Sequence, residues 1–113
     1  MKKLETISLP EKEKQALDPI RERLDKYGVS SVIIYGSAAR GEAEAESDTD
    51  LLILTMKPMS RLERRQITDA IFEINLDYDT NFSGLVIDQE SWEKGPISLL
   101  PIRAEILHDG VIL

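Results

Sequence analysis

The sequence predicts a small α/β or α+β domain, a β-sheet packed against helices. Three observations predict it. Apolar runs at residues 31–35, 50–54 and 80–87 have the length of strands. Longer stretches around them carry apolar residues three or four apart, which is helical spacing. The two patterns alternate along the chain, which favours helices laid on a sheet over a bundle or a sandwich. The 113 residues are enough for one compact domain, so residues 1–113 are expected to form a single unit.

Taken in order, residues 10–27 read as a helix, with Leu17, Ile20, Leu24 and Tyr27 on one face and Gly28 as the stop. Pro19 predicts a kink there, or a helix that properly begins near Asp18. Residues 31–35 form a strand buried on both faces. Gly36 and Ser37 turn the chain, and residues 38–40 make a brief helical turn. Residues 41–47 are small and acidic and read as an exposed loop. Residues 50–54 are the second buried strand. Ser60 and Glu63 have the spacing of a capping box at the start of a long helix. Its apolar face is Leu62, Ile67, Ala70, Ile71 and Ile74, and it ends near Leu76. Residues 80–87 are the third strand. Asp88 caps a short helix through Trp92, which Gly95 and Pro96 end. Beyond that, residues 101–108 read as helix and residues 111–113 as a final extended piece.

Composition limits the function. Twenty-one Asp and Glu face fourteen Lys and Arg, a net charge of −7. Such a chain repels polyanions, and its densest basic group is only Arg61, Arg64 and Arg65, so nucleic acid is not expected as a direct substrate. No apolar run approaches the length of a membrane helix, and the N-terminus has no signal-like apolar segment. There is no cysteine and one histidine, His108, which removes disulfides, thiolate sites and histidine clusters. A cytoplasmic location is expected.

The chemistry concentrates in residues 36–51. Gly36 and Ser37 directly follow the first strand. A backbone turning from strand to helix presents amides that bind anionic oxygens, and the Ser37 hydroxyl adds a donor. Arg40 lies about one helical turn further on, with a charged fork suited to phosphate. Gly41 lets the chain leave the turn. Ten residues separate Ser37 from Asp48, which with Asp50 leads into the second strand. Residues two apart on a strand share a face, roughly 6.5–7 Å apart at Cα. Two carboxylates so placed can converge on divalent metal. Asp-x-Asp by itself is common in a chain with nine aspartates, and Asp77-Tyr78-Asp79 is a second instance. The conjunction of strand, Gly-Ser, Arg-Gly and Ser-Asp-x-Asp is what carries information.

That conjunction, Gly36-Ser37-x-x-Arg40-Gly41 followed by Ser47-Asp48-x-Asp50-Leu51, resembles the signature of the DNA polymerase β-type nucleotidyltransferase superfamily. The spacing is similar to that of its minimal nucleotidyltransferases (MNT proteins). The resemblance implies a polymerase β-type fold with a small mixed sheet. It implies that Gly36, Ser37, Arg40 and Gly41 bind the nucleotide and that Asp48 and Asp50 are catalytic metal ligands, with magnesium as cofactor and ATP as co-substrate. The superfamily often has a third carboxylate on the strand after the long helix. Counting by twos along that strand makes Asp79 the expected catalytic and metal-binding third acid, with Asp77 as the alternative. If Ser83 holds the position, the site has lost a ligand.

MNT proteins pair with HEPN-domain RNase toxins and adenylylate them on tyrosine. The resemblance therefore implies an antitoxin that transfers AMP to a HEPN partner. The shortness of the chain suggests that the acceptor surface belongs to a partner, and the acidic charge suits a basic one. The alternatives are an antitoxin acting by occlusion with weak or lost catalysis, and a stand-alone enzyme modifying a small molecule such as an aminoglycoside. Elsewhere, Trp92 is expected as a packing anchor, Tyr35 as core or nucleotide contact, and Glu42, Glu44 and Glu46 as a solvated loop edge.

Overall fold

In the computed structural model, which describes residues 1–42 and 48–113, five strands form one mixed sheet. The strands are β1 (Lys2–Lys3), β2 (Val29–Tyr35), β3 (Thr49–Thr55), β4 (Phe82–Asp88) and β5 (Val111–Ile112). Their order across the sheet is β1-β5-β2-β3-β4. The helices are α1 (Glu11–Asp25), α2 (Arg61–Tyr78), α3 (Gln89–Lys94) and α4 (Pro101–Asp109). Strands β2 and β3 run antiparallel, with Tyr35 opposite Asp50. After α2 the chain returns in β4, parallel to β3, with Asp50 opposite Ser83. The expected 41–47 loop can be followed only as far as Glu42, because residues 43–47, with Glu44, Glu46 and Ser47, lie outside the described residues.

The central strands are apolar on both faces because both faces are covered. On one side, Val32, Ile34, Leu51 and Ile53 pack against Ala16, Leu17, Ile20 and Leu24 of α1 and Ile67, Ala70, Ile71 and Ile74 of α2. On the other, Ile33, Leu52 and Leu54 pack against Trp92 of α3 and Ile106 of α4. Trp92 is thus the expected packing anchor, with the Arg103 guanidinium 5.6 Å from its ring centroid. Ile53 has no solvent exposure. An Ile53→Ala variant should therefore lose about 2–5 kcal/mol of stability in chemical denaturation, through lost transfer energy and the cavity left behind.

The long helix starts as its sequence dictates. Ser60 Oγ accepts from the Glu63 amide at 3.1 Å, and Glu63 Oε1 accepts from the Ser60 amide at 3.0 Å. The bond from the Ser60 amide, and after it the Ser60 hydroxyl, hold the Glu63 carboxyl below the usual glutamate range.

Four expectations are corrected. Helix α1 begins at Glu11 and continues through Pro19 rather than starting near it. Its buried residues lie on both sides of the proline, and their packing overrides the local defect. Strand β2 begins at Val29, two residues early, with a register shift between Val29 and Ser31. Leu62, expected on the apolar face, points outward and is 67% exposed, because it lies away from the stripe of Ile67, Ala70, Ile71 and Ile74. Helix α2 also continues through Tyr78, past Leu76, so Asp77 is helical and Asp79 is the C-cap. Among the described residues no helix is long and apolar enough to cross a membrane.

Candidate active site

Strand β2 delivers the chain to its turn at Tyr35, and β3 begins the return opposite it. Gly36 has φ of +76°, a left-handed conformation that disfavours any side chain. The turn closes through the Arg40 amide donating to Gly36 O at 3.2 Å and the Gly41 amide donating to Ala38 O at 3.3 Å. Ala38 and Ala39 are buried and pin the turn to the core under α1 and α2. The expected brief helical turn is there.

A Cβ on Gly36 would lie 2.6 Å from Asp50 Oδ2, so only glycine lets the turn and the carboxylate share this space. Asp50 in turn has Tyr35 across the antiparallel pair and Ser83 across the parallel one. By alternation these side chains share the face of Leu52, Leu54 and Leu85, the face covered by α3 and α4. That cover follows the far end of β4, so the start of β3 and β4 keeps its side chains accessible. Ser83 and Asp48 are exposed there and Asp50 is half-buried.

The two acids feel one another. Burial raises the Asp50 carboxyl above the ordinary aspartate range, and the charge of Asp48 raises it further. Burial and then the charge of Asp50 likewise raise the Tyr35 phenol. Asp48 accepts a hydrogen bond from the side-chain amide of Asn81. The Asn81 carbonyl accepts from the Thr49 amide at 3.0 Å, and Thr49 donates from its hydroxyl to Glu13 of α1. Asn81 lies just before β4, and sequence reasoning gave it no role in advance. The signal was its position two residues before Ser83.

The structure brings Gly36, Ser37, Asp48 and Asp50 to one end of the sheet. Arg40 and Gly41 belong to the same turn, with Arg40 Nε 3.2 Å from Glu42 Oε2. It does not bring Asp79 onto β4. Asp79 caps α2 at φ of +54°, and its carboxylate meets Lys12 Nζ at 2.9 Å. The hydrogen bond to Lys12 holds that carboxyl below the usual range. The period-two count failed because β4 begins at Phe82, after the helix cap. Among the described residues no three acidic, histidine or cysteine side chains gather into one cluster. An Asp79→Asn variant, whose new side chain tolerates the left-handed cap, should keep its transfer rate within a fewfold. A tenfold loss in initial rate with labelled ATP would return Asp79 to the site.

The family profile described as "Polymerase beta, Nucleotidyltransferase" matches residues 18–94, which hold the turn, both acids and β4. The chain belongs to this nucleotidyltransferase family. Two relatives from Methanocaldococcus jannaschii each carry the name "Putative protein adenylyltransferase". They are 33% identical over 67 residues (59% of this chain, 63% of the relative) and 35% identical over 67 residues (56% and 46%). The match thus spans less than two thirds of either relative's length. Among solved structures, one described as a "putative minimal nucleotidyltransferase" superposes with a TM-score of 0.60 at 20% identity, covering 94% of this chain and 99% of its own. The spectinomycin adenyltransferase of Enterococcus faecialis, solved with ATP and spectinomycin, gives 0.58 at 16% identity (72% and 36%). A toxin–antitoxin structure with AMP-PNP gives 0.55 at 15% identity (82% and 68%). These likenesses establish the nucleotidyltransferase fold, as the family resemblance implied.

Proposed function

We propose that this domain transfers AMP from ATP to a hydroxyl of a partner protein, a HEPN-type RNase toxin modified on tyrosine, and so acts as its antitoxin. The observation that carries the reading is the contact of Gly36 with Asp50. A left-handed turn able to receive phosphate and a carboxylate pair able to receive a cation abut with no room for a Cβ between them. Family membership supports the nucleotide. The relatives' names and the toxin–antitoxin fold neighbour support a protein acceptor. The net charge of −7 favours a basic one.

The residues fit magnesium. Asp48 and Asp50 offer hard oxygen donors, and a divalent cation would relieve the repulsion that, second to burial, raises the Asp50 carboxyl. Bound there, the metal would neutralise phosphate charge as the reaction proceeds. The chain's own part is positioning. The first amides of the turn, ahead of the Arg40 and Gly41 amides that close it, and the Ser37 hydroxyl hold the triphosphate, and Arg40 adds a charged contact. The acceptor hydroxyl attacks the α-phosphorus. The bond to pyrophosphate breaks as the new one forms, and the hydroxyl proton passes to solvent.

Neutral residues beside both acids, Asn81 and Ser83, favour a second reading, neutralisation by occlusion with weakened catalysis. One experiment separates the two. The domain is incubated with magnesium, labelled ATP and the protein encoded by the adjacent gene. Label on a partner tyrosine, lost with Asp48→Asn, is expected. A stable complex without label would favour occlusion, and label on a small molecule without any partner would overturn both.

A further inference from the structure

The start of β3 and the start of β4 lie side by side and in parallel, so their residues pair. Thr49 stands opposite Phe82 and Asp50 opposite Ser83. One step earlier, the side-chain amide of Asn81 donates to Asp48 Oδ1, while the backbone carbonyl of Asn81 accepts from Thr49. The same residue is thus tied to the strand through its main chain and to the first acid through its side chain. Asn75 of α2 braces the other side of this segment. Its amide donates to Phe82 O at 2.9 Å, and its side-chain oxygen accepts from the Phe82 amide at 2.8 Å. Thr80 also donates to that oxygen, at 3.0 Å. Residues 80–82 are therefore held to the end of α2.

We propose that Asn81 is the positioning residue for Asp48, holding that carboxylate in the orientation in which it receives the cation. This rests on the reading of Asp48 and Asp50 as the metal-binding pair. The need is physical. Asp48 is exposed and lies just outside β3, where an untethered carboxylate samples several rotamers. It also faces the repulsion of Asp50, which drives the two apart when no cation is bound. A donor N–H on one oxygen opposes both effects, since it fixes the rotamer and places partial positive charge beside the anion. Ligating carboxylates held in this way bind metal more tightly, and removing such a partner costs about 10–100-fold in affinity. An amide suits the task better than a third carboxylate would. It donates, and it adds no negative charge to a site that already carries two.

The metal-free test is side-chain amide NMR. The two Asn81 side-chain amide hydrogens should show the shift of a charge-accepting partner, and that shift should vanish in Asp48→Ala. An unchanged shift overturns the proposal, whatever the site binds. The second test is manganese(II) titration of the full chain by electron paramagnetic resonance. Asn81→Ala should weaken manganese binding about 10–100-fold, and Asn81→Gln, which keeps the amide but moves it, should fall between that variant and wild type. With ATP and partner, Asn81→Ala should need more magnesium but recover near-wild-type kcat at saturation. A merely structural role would lower kcat at every magnesium concentration and leave the manganese affinity alone. Equal manganese affinity in wild type and Asn81→Ala overturns the proposal. Failure of the wild type to bind manganese would instead sink the functional reading and leave the NMR result to decide this one.

Discussion

Gly36→Ala is expected to remove nucleotidyl transfer while leaving a folded protein. Two separate effects follow from one methyl group. The first is backbone strain, because φ of +76° suits glycine and costs an alanine about 1–2 kcal/mol. That is a modest loss for a domain with buried side chains on both faces of its sheet. The second is displacement, because the new Cβ would lie 2.6 Å from Asp50 Oδ2. The carboxylate is the end of a side chain and can rotate away, so the clash itself costs little stability. It costs geometry instead. Asp50 moves from the turn it abuts, and catalytic positioning is sensitive to shifts of about an ångström, at roughly a hundredfold in rate. Thermal unfolding should therefore show a drop of a few degrees, while the initial rate of label transfer falls about a hundredfold or more. Gly41→Ala is the control. Gly41 has a similar φ of +74° but, among the described residues, nothing within 4 Å of the added methyl. It should show the backbone cost without the displacement. Equal loss of transfer in both variants would mean that the contact with Asp50 does not matter.

The second large effect is expected from Asp50→Asn, and its two readouts should move in opposite directions. Transfer should fall by at least about a hundredfold, because the pair would hold less firmly the cation that would stabilise developing charge. Stability of the metal-free protein should rise or stay level. The sign follows from linkage. Burial, and then Asp48, raise the Asp50 carboxyl above its ordinary value, so the folded chain holds that proton more tightly than the unfolded chain does. The associated stability is fully present below the ordinary aspartate range and is lost as pH rises through the raised value. Asparagine cannot ionise and does not lose it. The thermal advantage of Asp50→Asn over wild type, measured with chelator present, should accordingly grow from acid to neutral pH. A variant less stable than wild type at neutral pH, by the same margin at every pH, would contradict the raised Asp50 carboxyl. A gain in stability with a loss of activity is the usual mark of a site whose charges serve function rather than folding.

Most of the fold could be read from the residues themselves. The continuous apolar runs at 31–35 and 50–54 required cover on both faces, and α1 and α2 on one side with α3 and α4 on the other supply it. The capping box at Ser60 needed no tertiary information, because its two bonds are local. The same holds for the Gly-Ser turn and the acid pair, where spacing within one short segment carries the chemistry. The end of α2 was not readable. Asp77-Tyr78-Asp79 has no local signal that separates helix from strand. The outcome depends on Asn75 bonding to Thr80 and Phe82, and on Lys12 reaching Asp79 from α1.

The sequence by itself determined the family, the turn at Gly36 and Ser37, and the pairing of Asp48 with Asp50 where the second strand begins. Those features are local, set by backbone period and by residue chemistry within about twenty positions. Only the tertiary structure decided what stands beside the acids. It put Ser83 next to Asp50, Asn81 on Asp48 and Asp79 on Lys12. Partners across parallel strands are chosen by the length and exit of the helix between them, and no period within either strand encodes that register.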